Sequence, residues 1–365
     1  CQMAERLQQS ANSEQLEFAA KHSHSTLIFA CTYEIDELEL YHSRLQQITK
    51  APYVIQDKEL HITLKVGVTH FKEDEQADEM IRQADIALSK SRQISGTNVA
   101  YFEEQSNVKL QKEMDVLNQL TYGLKQQEFY AVLQPKINFN TLEIEGFEAL
   151  CRWDNHLLGP VSPATFIPIA ERTGKIKQID SLILKQVLTW QQQRLVNQEK
   201  TIPIAINISP VYFYDEQFVE NILSLIEQYN VPPHLIKLEV TESVELVDFS
   251  KAKEILSSLK QHGIESSIDD FGVGFSSLSY LQQLPFREIK IDRSFINEMD
   301  KPEMYAVVQT IIHLAASLQM NAVAEGIETA QQFEKLRKMG CSTGQGYYFY
   351  KPLPLSEAAH LVNKI

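Results

Sequence analysis

Between residues 1 and about 105 the spacing of apolar and polar positions changes several times. The order predicts an opening helix, a strand at 25–33 (STLIFACTY), a further helix, a hairpin-like pair (APYVIQ and LHITLKVGVTHF) and a helix at 79–93, together an α+β module over 1–105. Within the polar stretch 103–127, Val108, Met114, Leu117, Leu120 and Leu124 recur at mostly helical spacing, which predicts a connecting helix over 106–127. From 128 to 365 the pattern turns repetitive. Short β-type runs (FYAVLQP, IEGFEALCRW, IPIAINIS, IKLEVTES, IESSIDDFG, EIKIDRSF, NAVAEGIE and GQGYYFY) alternate with amphipathic helical stretches. Eight such runs with helical connections predict an α/β fold, a (β/α)8 TIM-like barrel, better than an open sheet, and roughly 240 residues suits that barrel.

Polar residues interrupt these runs at recurrent places. Glu148 follows GF, Asn207 lies inside IAINIS, Glu239 closes IKLE, Asp269 and Asp270 close ESSI, Lys290 closes REIK and Glu325 follows NAVA. A barrel of this kind assembles its site at the C-terminal ends of its strands, so these groups are expected to face one rim. Singly, each has a plainer reading: a solvated turn glutamate, a loop-capping amide, a snorkelling lysine, an aspartate N-cap. Their recurrence at successive strand ends carries the functional reading. Carboxylates buried together force protonation unless cations neutralise them. An all-oxygen donor set without His or Cys suits Mg²⁺ or Mn²⁺, and adjacent aspartates can serve two ions, an arrangement fitted to phosphodiester hydrolysis.

Composition narrows the choice. With 34 basic and 48 acidic side chains the net charge is −14, which disfavours DNA, RNA polymers and anionic lipid as partners. An anionic substrate therefore needs local cations. The four cysteines form no CxxC pair and fit reduced cytoplasmic thiols. No apolar run approaches a membrane span and the first residues lack a signal peptide's apolar region, so no membrane contact is expected of this segment. The glycines of DDFGVGFSSL lack the last glycine of a dinucleotide fingerprint and follow two acids; they read as a mobile loop beside the site. His313, in an apolar helical stretch, reads as a core or boundary histidine, and QQQ at 191–193 as helix surface. His22 and His24 have no acidic or thiol neighbour in sequence that favours a metal.

Residues 110–365 resemble an EAL domain, the cyclic di-GMP phosphodiesterase family. EALCR at 148–152, NIS at 207–209, LEVTES at 238–243, DDFGVGFSSL, KIDRSFI, AEGIET and GQGYYF follow the family's motifs in order. The resemblance implies two divalent ions, Mg or Mn, per site. Glu148, Asn207, Glu239 and Asp269 match ligands of the first, Asp269 and Asp270 the pair that brings in the second, and Glu325 the glutamate completing its surroundings. Lys290 matches the lysine that contacts the catalytic water, Gln345 a glutamine supporting that network, and Glu242 the residue that steadies the DDFG loop. Gln134, Leu150 and Arg152 match positions holding base and phosphate, and Asp180 a guanine contact. Val273 and Phe275 replace the family's usual threonine and tyrosine in the loop.

The implied reaction opens cyclic di-GMP to linear pGpG. The alternative is a receptor that binds the dinucleotide without cutting it and signals through the N-terminal module, although no acid of the metal site is lost. That module resembles the later half of a GGDEF, or diguanylate cyclase, domain. IRQADIALSKSRQISGTNVAYF and HITLKVGVTHF carry the likeness, while Ser23-His24-Ser25-Thr26-Leu27 stands where the signature should fall. A degenerate, truncated module without cyclase activity is expected, with a homodimer as the assembly and a cytoplasmic location, the whole protein being open to membrane tethering.

Overall fold

The structure is a computed structural model and describes residues 16–23, 25–31, 53–55, 58–60, 64–70, 76–93, 99–102, 104–242, 248–272 and 281–363. The chain divides into two compact units, Cys1–Lys112 and Glu113–Ile365. In the first, β1 (Leu16–Lys21) and β2 (Leu27–Cys31) form an antiparallel hairpin, as do β3 (Tyr53–Ile55) and β4 (Lys58–Leu60). β5 (Val66–Val68) pairs in parallel with β6 (Val99–Tyr101) across helix α1 (Ala77–Gln93).

Two expectations change here. LEFAAK is a strand, not a continuation of an opening helix, and residues 1–15 lie outside the described residues, as does the helix expected after β2. The run 60–71 is not one hairpin arm. Among the described residues of that run, Leu60 joins β4, whereas Val66–Val68 enters a parallel pair, which needs a crossover and has one in α1. Gly67 permits the close packing, because a Cβ there would lie 2.2 Å from the carbonyl oxygen of Ala84 on α1.

Helix α2 (Glu104–Lys125) leads into the second unit, where Val116 and Leu120 are buried while Met114 and Leu117 stay exposed. There follow β7 (Phe129–Asn138), β8 (Ile144–Asn155), the short β9 (Gly159–Val161), α3 (Pro163–Arg172) and α4 (Ile176–Val196). Next come β10 (Ile204–Ile208), α5 (Pro210–Phe213), α6 (Phe218–Gln228), β11 (Ile236–Thr241), α7 (Phe249–Gln261), β12 (Glu265–Phe271) and β13 (Glu288–Ile291). The chain continues through α8 (Arg293–Asn297), α9 (Pro302–Ser317), β14 (Asn321–Ala324), α10 (Ala330–Lys338), β15 (Thr343–Gly344), β16 (Leu353–Pro354) and α11 (Leu355–Val362).

Strands β7, β8 and β10 to β15 close into an eight-stranded barrel, β15 pairing back onto β7. Parallel pairing from β8 to β15 buries strand residues on both faces, and Ile204, Ile206, Leu238, Ile268 and Ile289 are shielded from water. The first strand departs from the expected plan: β7 runs antiparallel to both neighbours. The link from Asn138 to Ile144 is too short for a helical crossover. It closes instead as a turn in which Asn138 Oδ1 accepts from the backbone of Asn140 and Thr141.

The eighth run is a strand only at Thr343–Gly344. Beyond it the chain turns away, held by the Tyr348 N–H donating to the Ile327 carbonyl. His313 is exposed, lying off the stripe of Val308, Ile311, Ile312 and Ala315 that α9 buries. Within QQQ, Gln191 is buried and donates to the Ile202 carbonyl at 2.8 Å, so that tract is not simply surface. Cys151 and Cys341 are free thiols. None of the described helices is long and apolar enough to cross a membrane.

The hairpin that opens the barrel is anchored by Phe129, Trp153 and Phe166, whose ring centroids lie 4.8 to 5.7 Å apart. All three side chains are fully buried. Phe166→Ala should lower the unfolding free energy by about 3–5 kcal/mol, measured by urea denaturation; a loss below about 1 kcal/mol would show that α3 does not seal the barrel there.

Candidate active site

Alternation along β8 puts Glu148, Leu150 and Arg152 on one face, rising from the barrel interior toward its mouth. Asn207 on β10 and Glu239 on β11 are register partners, and Glu148 lies opposite Ala205 one strand away. Glu239 sits inside its strand and is fully buried, with Glu148, Asp269 and Lys290 also buried.

Lys290 is the hub. Its Nζ lies 2.6 Å from Glu239 Oε2, 2.7 Å from Glu325 Oε1, 3.0 Å from Asp269 Oδ1 and 3.3 Å from Glu148 Oε1. Asn207 Nδ2 donates to Glu148 Oε1 at 2.7 Å. Gln345 Nε2 donates to Glu148 Oε2 and, at 3.2 Å, to Glu325 Oε1. Gln345 is positioned by its glycine neighbour: a Cβ on Gly346 would lie 2.1 Å from the Ile327 carbonyl oxygen, so only glycine lets this turn approach the segment after β14.

Adjacent residues of a regular strand point to opposite faces, so both Asp269 and Asp270 can serve one site only if the strand is broken. It is. The β12–β13 register shifts between Ile268, opposite Ile289, and Phe271, opposite Ile291, leaving the two aspartates facing the single residue Lys290. Asp270 takes φ +54°, a left-handed conformation that aspartate tolerates better than most residues. Its N–H donates to Asp269 Oδ1 at 2.9 Å. Two residues on, Gly272 donates its N–H to Glu242 Oε2 at 3.1 Å, which ties the end of the bulge to β11's C-terminal turn. Residues 273–280, including Val273, Phe275 and the expected mobile loop, lie outside the described residues.

One oxygen from each of Glu148, Glu239 and Asp269 falls within 4.8 Å of the others, and the same holds for Asp269, Asp270 and Glu325. Asp269 belongs to both groups. Lys290 cannot neutralise this many acids, and their proton affinities show the deficit. Burial, with Asp269 and Glu148 adding repulsion, drives the Glu325 carboxyl well above the usual range despite Lys290. Burial and the neighbouring Asp269 and Asp292 push Asp270 up to about 6. Burial acts on Glu148 too, but Lys290 holds it below its ordinary value. Gln345 Oε1 is buried without a hydrogen-bond partner, an oxygen whose bonding capacity the protein leaves unused. Excess negative charge, an all-oxygen donor set and an unused amide oxygen fit hard divalent cations.

The other expected residues are placed around this cluster. Gln134, buried opposite Glu148 on β7, donates through Nε2 to the Tyr350 carbonyl. Leu150 and Arg152 are half-buried, and Arg152 Nη1 donates to the Cys151 carbonyl. Asp180 is buried on α4, where Oδ2 accepts from both the N–H and the hydroxyl of Ser209, two residues beyond Asn207. Burial is the main reason its carboxyl rises to about 7, with Ser209 opposing. Sequence reasoning missed Lys136, whose Nζ lies 2.6 Å from Glu239 Oε1 beneath the cluster. Its signal was a lysine two residues after Gln134 in an otherwise apolar strand.

In the first unit, the segment aligned with the GGDEF signature is the turn joining β1 to β2, where the His22 and Ser23 N–H groups donate to the Thr26 carbonyl. It carries Ser23 and Ser25 and no acid, and His24 lies outside the described residues. His22 faces Asp85 at 3.3 Å, and no histidine joins a group of potential metal ligands among the described residues.

Against known families, residues 117–352 match the EAL domain and residues 1–98 match the family described as diguanylate cyclase, GGDEF domain. The bifunctional diguanylate cyclase/cyclic di-GMP phosphodiesterase MucR of Pseudomonas aeruginosa is 33% identical over 308 residues, 84% of this chain and 45% of that protein. The cyclic di-GMP phosphodiesterase NbdA of the same organism is 32% identical over 88% of this chain and 41% of its own. The chain thus spans less than half the length of these curated relatives. Among solved structures, the PaMucR phosphodiesterase in complex with c-di-GMP superposes with a TM-score of 0.65 at 35% identity, covering 67% of this chain and 99% of that one.

Because its carboxyl is raised to about 6, Asp270 binds its proton more tightly when folded, so its ionisation destabilises the metal-free fold as pH rises from about 4 through 6. In EDTA, Asp270→Asn should therefore raise the melting temperature at pH 7, and the gain should fade as pH falls toward 4. A gain equal at both pH values would show that charge crowding is not its source.

Proposed function

The chain belongs to the EAL-domain family, and we propose that it hydrolyses cyclic di-GMP to linear pGpG with two divalent ions, Mg²⁺ or Mn²⁺, as a cytoplasmic phosphodiesterase that lowers the second-messenger level. The observation that carries this reading is the pair of oxygen clusters sharing Asp269. Glu148, Asn207, Glu239 and Asp269 would hold one ion, and Asp269, Asp270 and Glu325 the other. When bound, such ions supply Lewis-acid stabilisation of charge on the phosphoryl oxygens and make an attacking water acidic near neutral pH.

The chain's own residues do the rest. Lys290, locked by four carboxylates, contacts and orients the attacking water, and Gln345 supports it while fixing Glu148 and Glu325. Water oxygen bonds to phosphorus, the P–O3′ bond breaks, and O3′ leaves with a proton; a ring opened once is pGpG. Gln134, Leu150 and Arg152 hold base and phosphate above the cluster. In a chain of net charge −14, Arg152 adds a cation for the substrate's phosphates beyond those the ions provide. Asp180 serves the guanine end of the site, held there by Ser209. Glu242 keeps the bulge and the start of the following loop in place through Gly272. The names of MucR and NbdA and the c-di-GMP-bound PaMucR structure support the choice of substrate. The N-terminal module, with no acid at its signature turn, regulates or dimerises and makes no cyclic di-GMP.

Purified protein with Mn²⁺ or Mg²⁺ should convert cyclic di-GMP to pGpG, followed by chromatography. Glu148→Gln and Asp269→Asn should each reduce the rate by at least about 10²-fold, more than loss of a residue that only orients a ligand. Ca²⁺, larger and looser in geometry, should not support turnover. Wild type that binds cyclic di-GMP under saturating Mn²⁺ yet leaves it intact would favour the receptor reading. A further expectation is that GTP yields no cyclic di-GMP; its formation would overturn the assignment of the N-terminal module.

A further inference from the structure

Below the carboxylate cluster the barrel interior is not apolar. Glu239, shielded from water, is held by two ammonium groups, Lys290 at 2.6 Å on Oε2 and Lys136 at 2.6 Å on Oε1. Lys136 is in turn 3.8 Å from Glu288 Oε2, and Glu288 accepts from Ser267 at 2.9 Å and from Lys237 at 2.6 Å. Lys237 reaches Glu265 at 3.4 Å, and Arg287 reaches Glu265 at 3.8 Å. Charges therefore alternate in single file from Lys290 to Arg287. Side-chain exposure grows along the file, from 0% at Glu239 and 5% at Lys136 to 20% at Lys237 and 55% at Arg287. Glu265 and Glu288 are the first residues of their strands and Lys237 the second, so the file runs to the N-terminal mouth, opposite the site.

Such a file is costly to bury unless each member is paired. Each is, and the pairing has a direction. Glu288 is held by two donors, Ser267 and Lys237, and in turn braces Lys136, which fixes one oxygen of Glu239. The mechanism above uses none of these three contacts.

We propose that Lys136, braced by Glu288, is a positioning residue for the first metal site: by engaging Glu239 Oε1 from below it fixes the carboxylate plane, so that Oε2 alone is presented to the cation side, beside Asp269 and Glu148. This inference rests on the two-ion reading above. It makes Lys136 a partner of a ligand, comparable to the outer contacts that orient metal-binding carboxylates in other proteins, whose loss costs roughly 10–100-fold in metal affinity. Lys136 touches neither substrate nor reacting atoms, so its effect is on metal affinity and disappears when metal saturates.

The test is calorimetric titration of Mn²⁺ into metal-stripped full chain without substrate, for wild type, Lys136→Met and the double variant Lys136→Met/Glu288→Gln, with urea denaturation of each. Lys136→Met should weaken Mn²⁺ binding roughly 10–100-fold, and turnover of cyclic di-GMP should recover as Mn²⁺ is raised, with KM for the dinucleotide unchanged. The double variant removes the carboxylate left short of a partner, so its stability should return toward wild type while Mn²⁺ binding stays weak. A role in charge balance alone gives the opposite: the double variant regains affinity with stability. That result, or unchanged affinity in Lys136→Met, overturns the inference. If Lys136→Met does not fold, the double variant carries the same comparison. Wild type that binds no Mn²⁺ fails the two-ion reading itself, a separate outcome.

Discussion

The site is governed by one constraint: more carboxylates are gathered inside the barrel than the protein's own cations can neutralise. Lys290 is shared among four of them and Lys136 supports a fifth contact from beneath. The shortfall surfaces as carboxyl groups forced up in proton affinity at Asp270 and at Glu325, the latter even with Lys290 2.7 Å away. A fold that keeps such an arrangement accepts instability at neutral pH in its metal-free form, and that instability is a reservoir of binding energy for multivalent cations.

The barrel makes the crowding possible by geometry. Asn207 and Glu239 are direct register partners, while Glu148, Lys290 and Glu325 reach the same cluster from positions offset by two residues from strand to strand, as the tilt of barrel strands requires. The bulge in β12 adds what register alone could not, a second aspartate on the same face. Its left-handed Asp270 is local strain kept at the candidate site, held by Asp269 on one side and by the Glu242–Gly272 bond on the other. The antiparallel β7 contributes differently: running against the others, it brings Gln134 to the site's level and sends Lys136 below it.

Much of this was legible in the chain. Acids breaking apolar runs at Glu148, Glu239, Asp269 and Glu325 marked one centre, although Glu148 and Glu239 lie inside their strands rather than at the ends, and the ordered motifs named the family. What stayed hidden depended on pairings distant in sequence. β7's direction follows from a turn that looks like any polar loop, and β5's parallel partner lies beyond a helix. GQGYYFY carries strand-like residues, but of these only Gly344 pairs, and Gly346 serves close approach to Ile327 instead. His313 misled because its helix is apolar on average while its own position faces water. Lys136 was hidden because a lone lysine in a strand reads as an edge or a snorkelling side chain until Glu239, 103 residues away, is seen against it.

The central claim is that the surplus of oxygens exists to hold a pair of cations. The direct measurement is anomalous diffraction from crystals of the protein equilibrated with Mn²⁺. Two peaks about 3.5–4 Å apart, flanking Asp269 and lying among Glu148, Glu239, Asp270 and Glu325, are expected. Density confined to the surface, with the interior carboxylates contacting only Lys290 and Lys136, would contradict it.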